Sequence, residues 1–214
     1  MRYRDRMGRA RRAALGFRAH TGWAALIAIG GSAGAAEVIA RDRIALADGG
    51  VVEAEVYHHA REVALTDARR MIAAAVAAAR ARASAAIAAA VAALRERGWD
   101  PVAAGVVVGN TRPPDELEAI LRSHAAVHTA EGALYRQALL DGAEACGLAI
   151  AGVAERELVA RATRALHISD DELRRRVAGA GRALGSPWAM DQKESMIAAW
   201  IALATARGRA PSAA

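Results

Sequence analysis

The rhythm of apolar and polar positions changes along the chain. Leu15 to Ile29 is apolar in bulk, with Phe17, Trp23, Leu26, Ile27 and Ile29 and few helix signals, and predicts a strand. Gly30-Gly31-Ser32 and Gly34 predict a turn. Glu37 to Leu46 mixes Val38, Ile39, Ile44 and Leu46 with Arg41, Asp42 and Arg43, as a strand with one wet face does. Asp48-Gly49-Gly50 predicts a tight hairpin. Val51 to Tyr57 then alternates, with Val52, Ala54 and Val56 against Glu53, Glu55 and Tyr57, and predicts a third strand. Three strands joined by short turns make a meander.

Beyond this the period lengthens. Thr66-Asp67 predicts the cap of a long helix that ends at Gly98. Its apolar face is Met71, Ile72, Val76, Ile87, Val91 and Leu94. Val102 to Val108 is apolar throughout, as a central strand buried on both faces would be. Gly109 to Pro114 predicts a loop, and Asp115 to Ser123 a short helix. A longer helix follows, starting at His124 or Thr129 and closed by Gly147. Leu148 to Val153 predicts the fifth strand and Glu155 to Ala165 a helix. Ser169-Asp170-Asp171-Glu172 is a capping box before the next helix. The last helix starts at Ser186-Pro187 and runs to about Ala206. The element order is β-β-β-α-β-α-β-α, with residues 1–14 as a basic arm, 15–206 as one domain and 207–214 as a frayed tail.

Composition changes this picture in three places. The 214 residues suffice for one domain with its own core. Cys146 is the only cysteine, which excludes an internal disulfide and suits a reducing cytoplasm. The net charge is +6, and Arg2, Arg4, Arg6, Arg9, Arg11 and Arg12 crowd the first twelve residues. That charge suits an anionic partner such as structured DNA or RNA. The apolar stretch from Trp23 with the Arg11-Arg12 pair has the outline of an export signal. Its short apolar run and the preceding Arg18 and His20 argue against export. Arg80 and Arg82, in mid-helix, argue against a membrane span. Of 29 basic residues Lys193 is the only lysine, and Asn110 is the only asparagine. In a chain whose codon bias favours alanine, arginine and glycine, such survivors draw attention as site candidates.

Leu15-Gly16-Phe17-Arg18 followed by Thr21-Gly22-Trp23-Ala24 resembles the first strand of the RuvC-type Holliday-junction resolvases, a branch of the ribonuclease H-like superfamily. Asp191 with Ile197-Ala198-Ala199-Trp200-Ile201-Ala202-Leu203 resembles their closing Asp-bearing, alanine-rich helix. The resemblance implies an α/β ribonuclease H-like fold. A three-stranded antiparallel meander is followed by αβαβα, forming a mixed five-stranded sheet with helices on both faces. It also implies two Mg²⁺ ions held by carboxylates from strand one, the end of strand four and the last helix. Here Arg18 or His20 falls at the strand-one position, strand four ends in Val108-Gly109-Asn110, and Asp191 is the one carboxylate that fits. The expectation is a nucleic-acid-associated protein without ordinary two-metal nuclease activity.

Two alternatives stand beside it. His124, His128 and Glu131 fall within about 60° of arc on one helical face. With Asp191 they could ligate a divalent metal, the one candidate cofactor. Together with His20 and Lys193 they could serve a hydrolase acting on a phosphate-bearing substrate. Arg18, Asn110, Trp188 and Gln192 would then contact that substrate, and Asn110, His20, His124, Asp191 and Lys193 would converge at one end of the sheet. The other alternative is a scaffold whose alanine-rich helix packs on a partner, with a homodimer left open. His58-His59 are expected as a surface pair, because adjacent histidines point in different directions.

Overall fold

The computed structural model describes residues 11–49 and 54–206. Its five strands are β1 (Arg11–His20), β2 (Trp23–Gly30), β3 (Glu37–Ala45), β4 (Trp99–Val108) and β5 (Ala149–Ala154). They form one sheet in the order β3-β2-β1-β4-β5. The first three are antiparallel, whereas β4 runs parallel to β1 and β5 parallel to β4. The helices are α1 (Val56–Ala60), α2 (Leu65–Glu96), α3 (Leu117–Arg122), α4 (His124–Ala145), α5 (Leu158–Leu166), α6 (Asp170–Leu184) and α7 (Met190–Thr205). The mixed five-stranded sheet with helices on both faces is the expected fold class.

The meander is present, but its strands are displaced from the predicted ones. The Leu15–Ile29 run is a hairpin of β1 and β2, turned at Thr21-Gly22, where Gly22 has φ +79°. Both strands are nearly buried throughout, so no alternation marks the break between them. The strand predicted at Val51–Tyr57 is corrected in its described part. Val56 and Tyr57 open α1, and Val56 and Ala60, four apart, are its buried residues. Residues 50–53, including one glycine of the predicted hairpin, lie outside the described residues. Part of the span predicted as a basic arm is described, and it lies in the sheet. Arg11 and Arg12 belong to β1, where Arg11 reaches Glu37 at 2.9 Å and Arg12 donates to the Ala206 carbonyl at 2.8 Å. The rest of the arm and the tail lie outside the described residues.

Helix ends follow local chemistry. Gly98 and Gly147, at φ +81° and +72°, stop α2 and α4. Ser169 Oγ accepts from Glu172 N at 3.2 Å and caps α6. The predicted Thr66-Asp67 cap is instead inside the first turn of α2, whose N-cap is Ala64. Among the described residues α2 is the one helix long and apolar enough to cross a membrane. Its Ile87, Val91 and Leu94 are buried, and Arg80 pairs with Asp141 at 2.7 Å.

Two cores sandwich the sheet. On one face α2 and α4 cover Leu15, Phe17 and Leu26 with Ile87, Tyr135 and Leu139. On the other, α7 lies beneath α5 and α6 and packs Met196, Trp200 and Ile201 against Ile27, Ile29 and Val107. Ser195 to Leu203 is buried without a break. The approach of α7 depends on two missing side chains. A Cβ on Gly16 of β1 would lie 1.8 Å from the Ser195 carbonyl oxygen, and one on Gly105 of β4 would lie 2.0 Å from that of Ala198. No side chain fits there, so α7 rests backbone to backbone on the two central strands. Its first two turns, carrying Asp191 and Glu194, are thereby brought to the end of β1.

Candidate functional site

The carboxyl end of β1 presents Arg18 and His20. Arg18, opposite Val107 of β4, is largely covered. Three carboxylates surround its guanidinium. Nη1 donates to Glu194, Nε stands 3.3 Å from Asp191 Oδ1, and Nη2 lies 3.5 Å from Glu155 Oε1. Asp191 and Glu194, three apart on α7, share one helical face. Glu155 follows directly on β5. His20 Nε2 is 2.9 Å from the same Asp191 oxygen, and its ring stacks on Trp23 with centroids 4.3 Å apart. The approach to Asp191 is off the line of a hydrogen bond, for neither Arg18 Nε nor His20 Nε2 has a bonding partner by geometry. One carboxylate oxygen thus serves two nitrogens at ion-pair distance.

The surroundings add a second arginine. Arg136 of α4 lies against Gly109 and Gly132, and side chains there would press on its guanidinium. Burial lowers its pKa from the ordinary arginine value, Glu155 opposes that shift and Arg18 adds to it. Asn110 Oδ1 accepts from the Arg156 amide at 3.1 Å, tying the β4 loop to the segment that carries Glu155.

A second cluster forms where α1 meets α4. His124 and His128, at i and i+4, place their Nε2 atoms 3.0 Å apart. His58 completes the group: its ring centroid is 4.6 Å from that of His128 and 5.4 Å from that of His124. One donor atom from each of the three lies within 4.8 Å of the others. His58 is oriented from behind. Its Nδ1 stands 2.9 Å from Oε2 and 3.0 Å from Oε1 of Glu131, and its backbone N–H donates to Oε1 at 3.3 Å. Glu131 is only 3% exposed. A carboxyl group that dry needs a hydrogen-bond partner, and His58 supplies it. Burial raises the Tyr57 phenol above its ordinary pKa, and the Glu131 carboxylate adds to the shift. Tyr135, one turn further along α4, donates to the Ala54 carbonyl at 2.8 Å and fastens the approach to α1.

The predicted residues therefore divide between two places. His20 and Asp191 meet, with Arg18 between Asp191 and two glutamates that sequence reasoning did not select. His124, His128 and Glu131 do share a face, but Glu131 turns to His58 rather than to the other two histidines. The predicted His58-His59 surface pair is corrected, since His58 belongs to the cluster. Lys193 is exposed and makes no side-chain hydrogen bond or ion pair among the described residues. Gln192 Oε1 accepts from the Ala189 amide at 2.9 Å and caps α7. Trp188 packs on Gly181 and donates to the Val177 carbonyl at 3.0 Å. Asn110 stays near the carboxylates through Arg156, and His124 does not join them. A signal for Glu194 was present in its i, i+3 spacing from Asp191.

No family model matches the sequence, and neither does any curated protein. Solved structures do show similarity. Thermus thermophilus RuvC in complex with Holliday junction substrate matches with a TM-score of 0.50 at 12% identity, over 88% of this chain and 90% of that one. A second Thermus thermophilus RuvC structure matches with a TM-score of 0.48 at 15% identity, over 88% and 92%. The first of these shows that the fold is ribonuclease H-like.

Proposed function

We propose that this chain is a nucleic-acid-associated protein of ribonuclease H-like fold whose carboxylate end is closed by an arginine instead of divalent ions. The observation that carries the reading is the Arg18 guanidinium among Asp191, Glu194 and Glu155. Mg²⁺ requires hard oxygen ligands in near-octahedral order at about 2.0–2.1 Å. Here a fixed positive charge stands within reach of each carboxylate and repels any second cation, so the donor set does not fit two Mg²⁺. A built-in cation of this kind neutralises the acids without supporting a two-metal displacement, and the excess of arginine supplies the attraction to phosphates.

Fluorescence anisotropy with a labelled four-way DNA junction and a duplex of equal length tests the reading. Binding is expected to weaken linearly in log salt, with a slope of about −0.9 per neutralised phosphate. Absence of affinity for either probe at low salt would sink the nucleic-acid assignment. Incubation with Mg²⁺ or Mn²⁺ tests the rest. Cleavage by the wild-type chain that Asp191→Asn abolishes would overturn the closed-site part.

A further inference from the structure

We infer that His58, His124 and His128 form a binding site for a single transition-metal ion of the Zn²⁺ class, with Glu131 as the carboxylate that orients one ligand. This inference stands apart from the nucleic-acid reading and shares no residue with the Arg18 cluster.

Three observations carry it. The first is composition: three of the chain's six histidines meet at one point from two separate helices. The second is distance. Nitrogens bound to Zn²⁺ at about 2.0–2.1 Å in tetrahedral order stand about 3.4 Å apart. The His124 and His128 Nε2 atoms are already at 3.0 Å, and all three donors fall within 4.8 Å. Small rotations of the exposed His124 and His128 side chains close the remaining gap. The third is the buried carboxylate. Glu131 holds Nδ1 of His58, which leaves Nε2 as the nitrogen available to a metal. A histidine ligand that gives its far N–H to a carboxylate is fixed in tautomer and made a better donor.

The donor chemistry selects the ion. Three imidazoles suit Zn²⁺, Co²⁺, Ni²⁺ or Cu²⁺, and not Mg²⁺ or Ca²⁺, which take oxygen. Three protein ligands leave the fourth tetrahedral position to water or an anion, the arrangement of an open rather than a structural zinc site. The exposed side of His124 and His128 gives that position access from solvent.

The metal-free chain, titrated with Zn²⁺ against a chromophoric chelator and separately with Co²⁺, tests the proposal. One equivalent of Zn²⁺ per chain is expected, with Mg²⁺ not competing, and Co²⁺ should give the visible absorption of a four-coordinate site. His124→Ala and His128→Ala change exposed side chains, so circular dichroism without metal should match wild type. Each should weaken Zn²⁺ binding by more than about 100-fold, while Glu131→Gln should cost about 10–100-fold, the usual range for an orienting carboxylate. Wild-type affinity no greater than that of the triple variant His58→Ala/His124→Ala/His128→Ala would overturn the proposal. So would Co²⁺ spectra that the substitutions leave unchanged. If His58→Ala fails to fold, the two exposed-histidine variants still decide the matter.

Discussion

The two clusters of charged and polar side chains are built on opposite plans. Around Arg18, three carboxylates meet a cation that the chain itself provides. Around His58, three nitrogen donors meet, and a buried carboxylate backs one of them. The first is held by the sheet and the rigid seat of α7. The second is held by a five-residue helix and one side of α4. The difference teaches that charge balance is local: the carboxylates at the sheet end face an arginine from β1, whereas the nitrogen donors gather away from the sheet end and face a carboxylate through one histidine only.

Replacing Arg18 should have the largest effect. Arg18→Ala leaves three carboxylates facing one another and should cost about 3–4 kcal/mol of stability by urea unfolding, the usual cost of stranding a covered charge. Mg²⁺ should return part of that loss and should leave the wild-type chain unchanged. If wild type gains stability from Mg²⁺, the contrast between the clusters collapses. Next comes Gly16→Ala, which forces α7 away from β1 and should cost about 3 kcal/mol through overpacking. The carboxylate end should be disturbed while Zn²⁺ affinity, measured below the unfolding transition, stays within about twofold of wild type. Zn²⁺ itself should rank third. At a free concentration one hundred times its dissociation constant it should stabilise the wild-type chain by about 2.7 kcal/mol, and His124→Ala/His128→Ala should show no such gain by thermal melting.

Smaller effects sharpen the boundary of each region. Tyr135→Phe removes the hydrogen bond to the Ala54 carbonyl and should cost about 1 kcal/mol. Because that bond fastens the approach to α1, Zn²⁺ affinity should fall with it, whereas junction binding should not. Lys193→Arg should be the mildest. An exposed side chain without partners predicts a stability change within about 0.5 kcal/mol. Junction affinity after the same substitution tells whether this lysine has any use that arginine cannot fill.

Much of the fold was legible because local signals and tertiary demands agree. Gly98, Gly147 and Ser169 end or begin helices for reasons visible within a few residues. Every strand overlaps a run that reads as strand, although the first two read as one. That error has a physical cause: β1 and β2 are both central and buried, so the alternation that marks strand faces is missing. The Val51–Tyr57 error has another, since Val56 and Ala60 fit the four-residue spacing of a helix as well as Val52, Ala54 and Val56 fit a strand. His20 and Asp191 were found because topology alone brings the end of β1 to the start of α7. His58 was not found, because Glu131 lies 73 residues away and no period connects them. Glu155 was overlooked because strand four, not strand five, is where the family pattern directs attention.

The seat of α7 also bears on how much change the chain tolerates. Alanine and glycine are so abundant here that substituting one for the other reads as the mildest edit available. On the exposed side of α2 an Ala→Gly edit should cost only about 0.5–1 kcal/mol, the ordinary difference in helix propensity. At positions 16 and 105 the same single methyl group would move the whole closing helix. A mutational scan should therefore show intolerance at these two glycines beneath α7, as at Gly181 against Trp188 and at the positive-φ Gly98 and Gly147, in a sequence that looks interchangeable by composition.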